Sequence, residues 1–591
     1  MNQQQVMKQF SLDEEELLRA FLFTNPHGEE GFIYPQPLVA GEELSPLMSA
    51  VSRTHVNTQT RVLQFLDTVK PEQTRAFLPH VRPLMEIFRH PDGRLQVSRK
   101  TTSFNQEWAI AHGHGSIKEG TNLFGHCENI SDIALKSITG HPANHPQGKS
   151  TRYINYATVL PLALQDPDIR ALPDADRFLR HLEFLHRRYH EVTAELTDRV
   201  AQDPLTAQVI AYLRQPALVE REVGQRLRKK QSIDPEYAPT ETDRSAERAK
   251  IMQEFEDVEV RKALGKFVLD SSRVYLPAAT RSSLVFSADA RTLEEIITTM
   301  ISNPRIEDQQ RGRRLWAEAK KLSPVLLGEK GHIAVDTWRI RNEQELRAYC
   351  EERCGSLPLG QKSLVVLHHS GSPRLQMASD RFNAALIAFQ YTNASLIDLF
   401  EHLSDGDVKE VLHRAHHHRG ERDILHPAIS HNGLVFELTM GYHGYRDLFR
   451  HRRGSRATQL LTTRLGFETP AVFPVYGLDK SYEQDMQASA AIYEAARVHS
   501  RHTAEKLVPF GARCSALHNW DPRQVGYITQ LRSKMATGNE SYVRVARALA
   551  DALAVIMPQT TQFMRVDRKE YPPNLWKRGY GWYDQEQRGV S

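Results

Sequence analysis

Arg450, His451, Arg452 and Arg453 set three guanidinium groups and an imidazole side by side, just after a stretch in which Tyr442, Tyr445, Leu448 and Phe449 recur at helical spacing. Like charges at this density repel one another, and a fold tolerates them best when a multiply charged anion completes the site. Phosphate and pyrophosphate are the natural candidates. The plainer alternative is a helix end whose cations complement the negative pole of the helix dipole. A second arginine pattern occurs twice. Leu276-Pro277-Ala-Ala-Thr-Arg281, with Asp289-Ala290-Arg291 after it, is matched offset for offset by Val508-Pro509-Phe-Gly-Ala-Arg513 with Asp521-Pro522-Arg523. Each copy carries two arginines on an extended segment and the turn that follows, where planar forks could hold phosphate or carboxylate oxygens.

Self-similarity at so long a period signals a duplicated structural unit, and 591 residues are too many for one core. The chain reads as an N-terminal extension over 1–44, a first unit over 45–330 and a second over 331–591. Strand-like patterns fall at Leu284–Phe286, at Ser363–His368 and at Leu434–Thr439, and a long helical stretch runs from Arg381 to His402. A charged segment at about 215–262, with Arg226-Leu-Arg-Lys-Lys230, reads as an insertion in the first unit. Its basic cluster could meet RNA or an acidic partner, but the lack of interleaved aromatics favours a solvated helix face. The aromatic C-terminal tail, Tyr571 to Tyr583, should pack over the body or a neighbouring subunit.

Lys plus Arg total 76 against 72 for Asp plus Glu, a formal charge of +4 with no polyanion-binding signature, so nucleic acid is not an expected partner. Of the four cysteines, Cys350 and Cys354 have no second pair to complete a tetrahedral metal site, and His416-His417-His418 reads as an exposed helix end. Reduced thiols and a cytoplasmic location are expected. No run approaches the roughly 18 apolar residues of a membrane helix.

The tract Ile429-Ser-His431-Asn-Gly-Leu-Val-Phe, followed by Phe449-Arg450-His451-Arg452-Arg-Gly-Ser455, resembles the signature region of the flavin-dependent thymidylate synthases. That family carries an Arg-His-Arg motif, a Ser several residues later, and an upstream Glu-His pair. The first unit repeats the outline, with Gly113-His114 to Glu119, then Gly140-His141-Pro142, then Ser150-Thr151-Arg152-Tyr153. There the closing Ser-x-Arg-Tyr is intact and both arginines of the Arg-His-Arg are gone. Thr280-Arg281 with Asp289-Ala290-Arg291 resembles the family's Thr-Arg and Asn-Ala-Arg. Gln530-Leu531-Arg532 resembles its Leu-Arg, with Arg305 a weaker counterpart.

The resemblance implies two tandem α/β units, each a central sheet packed with long helices, and a site formed where units meet. Arg450, His451 and Arg452, with His431, Arg291 and Arg523, would hold FAD. Ser150, Arg152 and Tyr153, with Arg281 and Arg513, would hold the nucleotide, and Arg532 and Arg305 would lie at the uracil ring as catalytic groups. A homodimer would then reproduce the family's tetramer. The implied reaction converts dUMP to dTMP with NADPH and methylenetetrahydrofolate as co-substrates, and it needs no thiol nucleophile, so Cys514 reads as a buried strand cysteine. Three departures stand out. Asp289 and Asp521 replace an Asn beside the flavin, Leu460 and Thr462 replace the second unit's Ser-x-Arg, and Glu119 and His431 divide the Glu-His pair between copies. The alternatives are C5-alkylation of another uracil nucleotide, a non-catalytic flavin- or nucleotide-binding relative, and arginines that serve ion-pair networks alone.

Overall fold

The computed structural model describes residues 8–589 apart from 35–37, 40, 157–158, 235, 256, 361–362, 370–378, 419–425, 427, 429–430, 432, 536–537 and 562–563. Part of the tract around His431 thus lies outside the described residues. Two four-stranded antiparallel sheets share one topology. The first, β1 (Glu30–Ile33), β2 (Asn122–Ser131), β3 (Gln147–Gly148) and β4 (Arg281–Asp289), has the order β1-β2-β4-β3. The second, β5 (Val365–His368), β6 (Val435–Gly441), β7 (Arg456–Thr458) and β8 (Arg513–His518), has the order β5-β6-β8-β7. The registers agree as well. Ser131 pairs with Arg281 as Gly441 pairs with Arg513, and Gly148 pairs with Leu284 as Thr458 pairs with Ala516. The chain is therefore a helix-rich α/β protein built from two copies of one fold.

The central strands β4 and β6 are buried along nearly their whole length, polar residues included. Each opens or closes on a helix start. Ser131 caps the Asp132–Thr139 helix after β2, and Asp289 and Asp521 cap the Ala290–Ile301 and Pro522–Arg532 helices after β4 and β8. Their carboxylates accept from Thr292 N at 2.8 Å and Gln524 N at 2.7 Å. Both Asp side chains are thus engaged at helix N-termini.

The two arginine repeats meet. Pro277 and Pro509 form an antiparallel bridge, Ala278 N and Ala279 N donate to the carbonyls of Val508 and Lys506, and Phe510 N and Gly511 N donate to those of Leu276 and Val274. A side chain at Gly511 would drive a Cβ to 1.9 Å from the Tyr482 hydroxyl, so the close crossing requires glycine there. Around this crossing one core takes Tyr156, Leu185, Tyr189 and Tyr275 from the first unit and Phe436, Tyr482, Phe510 and Leu549 from the second.

Some sequence expectations change. Residues 30–33, within the stretch expected to be an extension, are the edge strand of the first sheet. The stretch from Arg381 to His402 is two helices, Asp380–Phe389 and Leu396–His402, with Ser395 capping the second. The charged segment contains two helices, Pro216–Ile233 and Glu241–Gln253, that pack through Val219, Val223, Leu227 and Ile251. Its Arg226 and Lys230 pair with Glu222, Glu254 and Glu247. The aromatic tail packs on the body, with Leu575 and Trp576 buried against Val200, Val209 and Val260. Among the described residues, no helix is long and apolar enough to cross a membrane.

Candidate anion-binding site between the units

The Asp132–Thr139 helix of the first unit faces the Tyr442–Leu448 helix of the second. The Tyr442 hydroxyl donates to Asp132 at 2.8 Å, and Arg446 donates to Asp132 at 2.9 and 2.6 Å and to the Thr151 hydroxyl at 2.8 Å. Against the burial that would raise it, Arg446 and Lys136 pull the Asp132 carboxyl below its ordinary pKa. Beside this contact lies a cavity of about 190 Å³ whose wall is shared between units, with Lys136, Lys149, Ser150 and Arg273 from the first and Arg446, Arg450 and Arg452 from the second. Six cationic side chains line it against two carboxylates, Asp132 and Asp447.

Part of that charge is already matched. Arg273 bonds Thr151 at 3.2 Å and lies 2.9 Å from Asp270 and 3.5 Å from Asp447. Arg450, with half its side chain exposed, comes no nearer than 3.9 Å to Asp447. Among the described residues, Arg452 reaches the Pro146 carbonyl alone, at 3.3 Å, and its Nε is buried with no hydrogen-bond partner. Burial and the neighbouring Arg450 push its pKa down. Burial also lowers Lys136 to about 8; Asp132 pulls the other way, and Arg446, Arg456 and Arg450 add to the lowering. Such a cluster is under electrostatic tension that an anion would relieve.

His451, the middle residue of the motif, turns away from the cavity. Its Nε2 accepts from Arg532 Nε at 3.2 Å, and Tyr527 meets its ring edge-on. Burial, then Arg532, lowers its pKa to about 3, so it is neutral near pH 7. Arg532 also donates to the Asp447 carbonyl at 3.5 Å and lies 5.2 Å from the Tyr542 ring. Asp447 is the hub of this region. Although buried, it is held well below the usual carboxylate range by Arg273, Arg152, Arg450 and Arg532.

On the far side of that hub lies a second cavity, of about 260 Å³, lined by Arg152, Tyr153, Asp270, His443, Ser541 and, from the tail, Lys577. Arg152 is 3.0 Å from Asp270 and donates to the Tyr542 hydroxyl at 3.1 Å, while Tyr153 lies beneath Arg53 and Lys266. The Ser-x-Arg-Tyr segment therefore spans two cavities, Ser150 facing one and Arg152 and Tyr153 the other.

The remaining expected site residues are placed differently. Arg281 is buried in contact with Glu307 and lies 3.0 Å from Asp166, and Arg305 is buried 2.7 Å from Asp308 and 3.2 Å from Glu505. Both are engaged in internal ion pairs. Arg291 is half exposed and pairs with Glu119 at 2.6 Å. Arg523 is exposed, Arg513 opens β8, and His431 is buried with its Nδ1 2.9 Å from the Ala428 carbonyl; none of these lines either cavity. Cys514 is buried on β8 and its thiol pKa is raised by burial. The sequence reading missed Asp447, Arg446, Arg273 and Lys136. For Lys136 and Arg446 a signal lay in their matching positions in the two repeats.

Among the described residues, one other His-bearing group, Glu345 with His417 and His418, brings ligand-type atoms together at the surface. His418 Nε2 lies 2.9 Å from Glu345, an ordinary side-chain pair at the helix end.

The fold and site define a duplicated α/β protein with a cationic cavity between its halves. Residues 85–325, which contain most of the first unit, match the family model described as thymidylate synthase complementing protein. A UPF0159 protein of Chlamydia muridarum is 26% identical over 314 residues, covering 51% of this chain and 58% of its own length. The chain thus spans less than two thirds of that relative. A UPF0159 protein of Chlamydia pneumoniae is 23% identical over 484 residues, 79% of this chain and 81% of its own. One from Thermoplasma acidophilum is 23% identical over 282 residues, 46% and 54% of the two chains. No solved structure matches.

Proposed function

We propose that the chain is a flavin-dependent thymidylate synthase, methylating dUMP to dTMP with methylenetetrahydrofolate and NADPH. The observation that carries this is the cavity in which Arg450 and Arg452 of one unit face Ser150 of the other. The residues present fit a phosphate-bearing cofactor. The cluster has more positive charge than its carboxylates match, and the buried Arg452 Nε lacks an acceptor. At about 190 Å³ the cavity takes phosphate groups, and the rings of a bound FAD would extend beyond it. A bound flavin would supply the hydride chemistry.

The chain's own residues supply the rest. Arg450 and Arg452 would donate charge-assisted hydrogen bonds to phosphate oxygens, and the Ser150 hydroxyl would add a neutral donor. Arg152 would fix the nucleotide in the adjoining cavity, its fork already oriented by Asp270 and Tyr542. Arg532, held in place by a neutral His451, would set a fixed positive charge beside the pyrimidine, where negative charge develops during reaction. Two chains would associate so that four units complete the assembly.

The test is the visible absorbance spectrum of the purified protein with added FAD, recorded before and after dUMP. The expected result is a bound-flavin spectrum that shifts with dUMP. Flavin without a dUMP response would move the substrate to another uracil nucleotide. No flavin uptake would overturn the proposal in favour of a non-catalytic relative.

A further inference from the structure

The matched registers give each position near the cavity a counterpart in the other unit, and the counterparts line a cavity of their own. It measures about 350 Å³ and includes Lys136, Gly140, Gln459, Leu460 and Glu505. These stand where the first cavity has Arg446, Arg450, Lys149, Ser150 and Arg273. Pro142 stands in the place of Arg452. A hydroxyl has become an isobutyl group, one cation has become a carboxylate, and the arginine pair is absent.

Two of the cations left in this second cavity are held by groups of the chain itself. Arg305 is bound to Asp308 and Glu505. Arg456 donates to the carbonyls of Phe449 and Gly140 and stacks on the Phe449 ring at 3.6 Å. Lys136 borders both cavities. Backbone geometry also resists restoring the lost charge, since a Cβ at Gly140 would lie 2.7 Å from the Lys136 carbonyl oxygen.

We infer that the duplicated cavities have become unequal, so that each chain binds one phosphate or pyrophosphate group, at Arg450 and Arg452, and none at the counterpart position. This rests on the reading of the first cavity as a phosphate site. Calorimetric titration of the full chain with inorganic pyrophosphate tests it. One equivalent per chain is expected, and Arg450→Ala with Arg452→Ala should weaken binding by about 100-fold or more, since two charge-assisted donors are lost. Circular dichroism of the double variant should report an intact fold, because Arg450 is half exposed and Arg452 makes one weak carbonyl contact. Two equivalents per chain, one of them surviving in the double variant, would overturn the inference and leave the first cavity's reading standing. A single equivalent unaffected by the double substitution would place the site elsewhere and overturn the inference. No binding by the intact chain would overturn both.

Discussion

Arg532 donates through Nε to Nε2 of His451 across 3.2 Å, so the imidazole must present a lone pair there. The histidine of the Arg-His-Arg motif is accordingly an acceptor that orients a fourth arginine, and it adds no charge to the cluster. Its lowered pKa, about 3, follows from burial and from Arg532 itself.

If Arg532 acts as proposed, Arg532→Ala should cut turnover of dUMP by on the order of 100-fold at saturating substrate, the usual cost of removing one preorganised donor. Flavin occupancy should stay unchanged in the same preparation. Loss of flavin with Arg532 would show that it holds the cofactor instead.

Arg152→Ala removes a fork that faces the 260 Å³ cavity and leaves the Arg450/Arg452 cavity intact. The nucleotide KM should rise by roughly 10-fold or more while bound flavin is retained, because one charge-assisted contact is lost. Steady-state kinetics with flavin quantified by absorbance decides it, and an unchanged KM would remove Arg152 from the nucleotide site.

Stability should fall on mild acidification. Burial lowers His181, His186 and His426 to about 4, and burial with Arg532 lowers His451 to about 3, against roughly 6.5 in the unfolded chain. A depressed folded pKa means that the unfolded state binds protons first. The contribution is fully present above about 6.5 and is lost as pH falls toward these folded values. His502 runs the other way: despite burial its pKa is raised by Glu343 and Glu505, but it stands against these four and further lowered imidazoles such as His443 and His518. Tm measured at pH 7.5 and pH 5 should drop, and an unchanged Tm would contradict buried neutral imidazoles.

Lys506 is fully buried with its Nζ 2.7 Å from Asp166, 2.6 Å from Asp168 and 2.7 Å from Glu307. Lys506→Met would leave Asp166 and Glu307 to Arg281, and Asp168 to the backbone N–H groups of Ile306 and Glu307. Breaking a buried cluster in this way costs about 3–5 kcal/mol, readable by urea denaturation. A loss below about 1 kcal/mol would mean that the carboxylates take up protons instead.

Trp576 anchors the aromatic tail against Val200 and Val209. Trp576→Ala should cost about 3–5 kcal/mol of local stability. Limited proteolysis should then cut the tail while the two-sheet body persists. A tail that stays protected would locate its anchor at Leu575 or the stacked pair Tyr571 and Tyr580.

The duplication and the strands were legible because repeated motifs and apolar runs are local signals. Leu284–Phe286 lies in a central strand, and so does all of Leu434–Thr439 but its first residue. The fate of the arginines was not legible. Arg281 and Arg450 look alike in sequence, yet one meets Glu307 and Asp166 across the fold and the other, among the described residues, meets no carboxylate closer than 3.9 Å. Partner choice depends on long-range packing, to which no motif refers. The edge strand at 30–33 escaped notice for a related reason. Its four residues, Glu-Gly-Phe-Ile, carry no alternation and take their conformation from β2.

The crossing of Pro277 and Pro509 has a consequence for how such a protein can evolve. As two free polypeptides, the halves would also associate like with like, leaving Ser150 opposite Gly140 in one product and Arg450 opposite Leu460 in the other. Covalent linkage makes the mixed pairing obligatory in every molecule. Each half is thereby released from selection on whatever its neighbour provides.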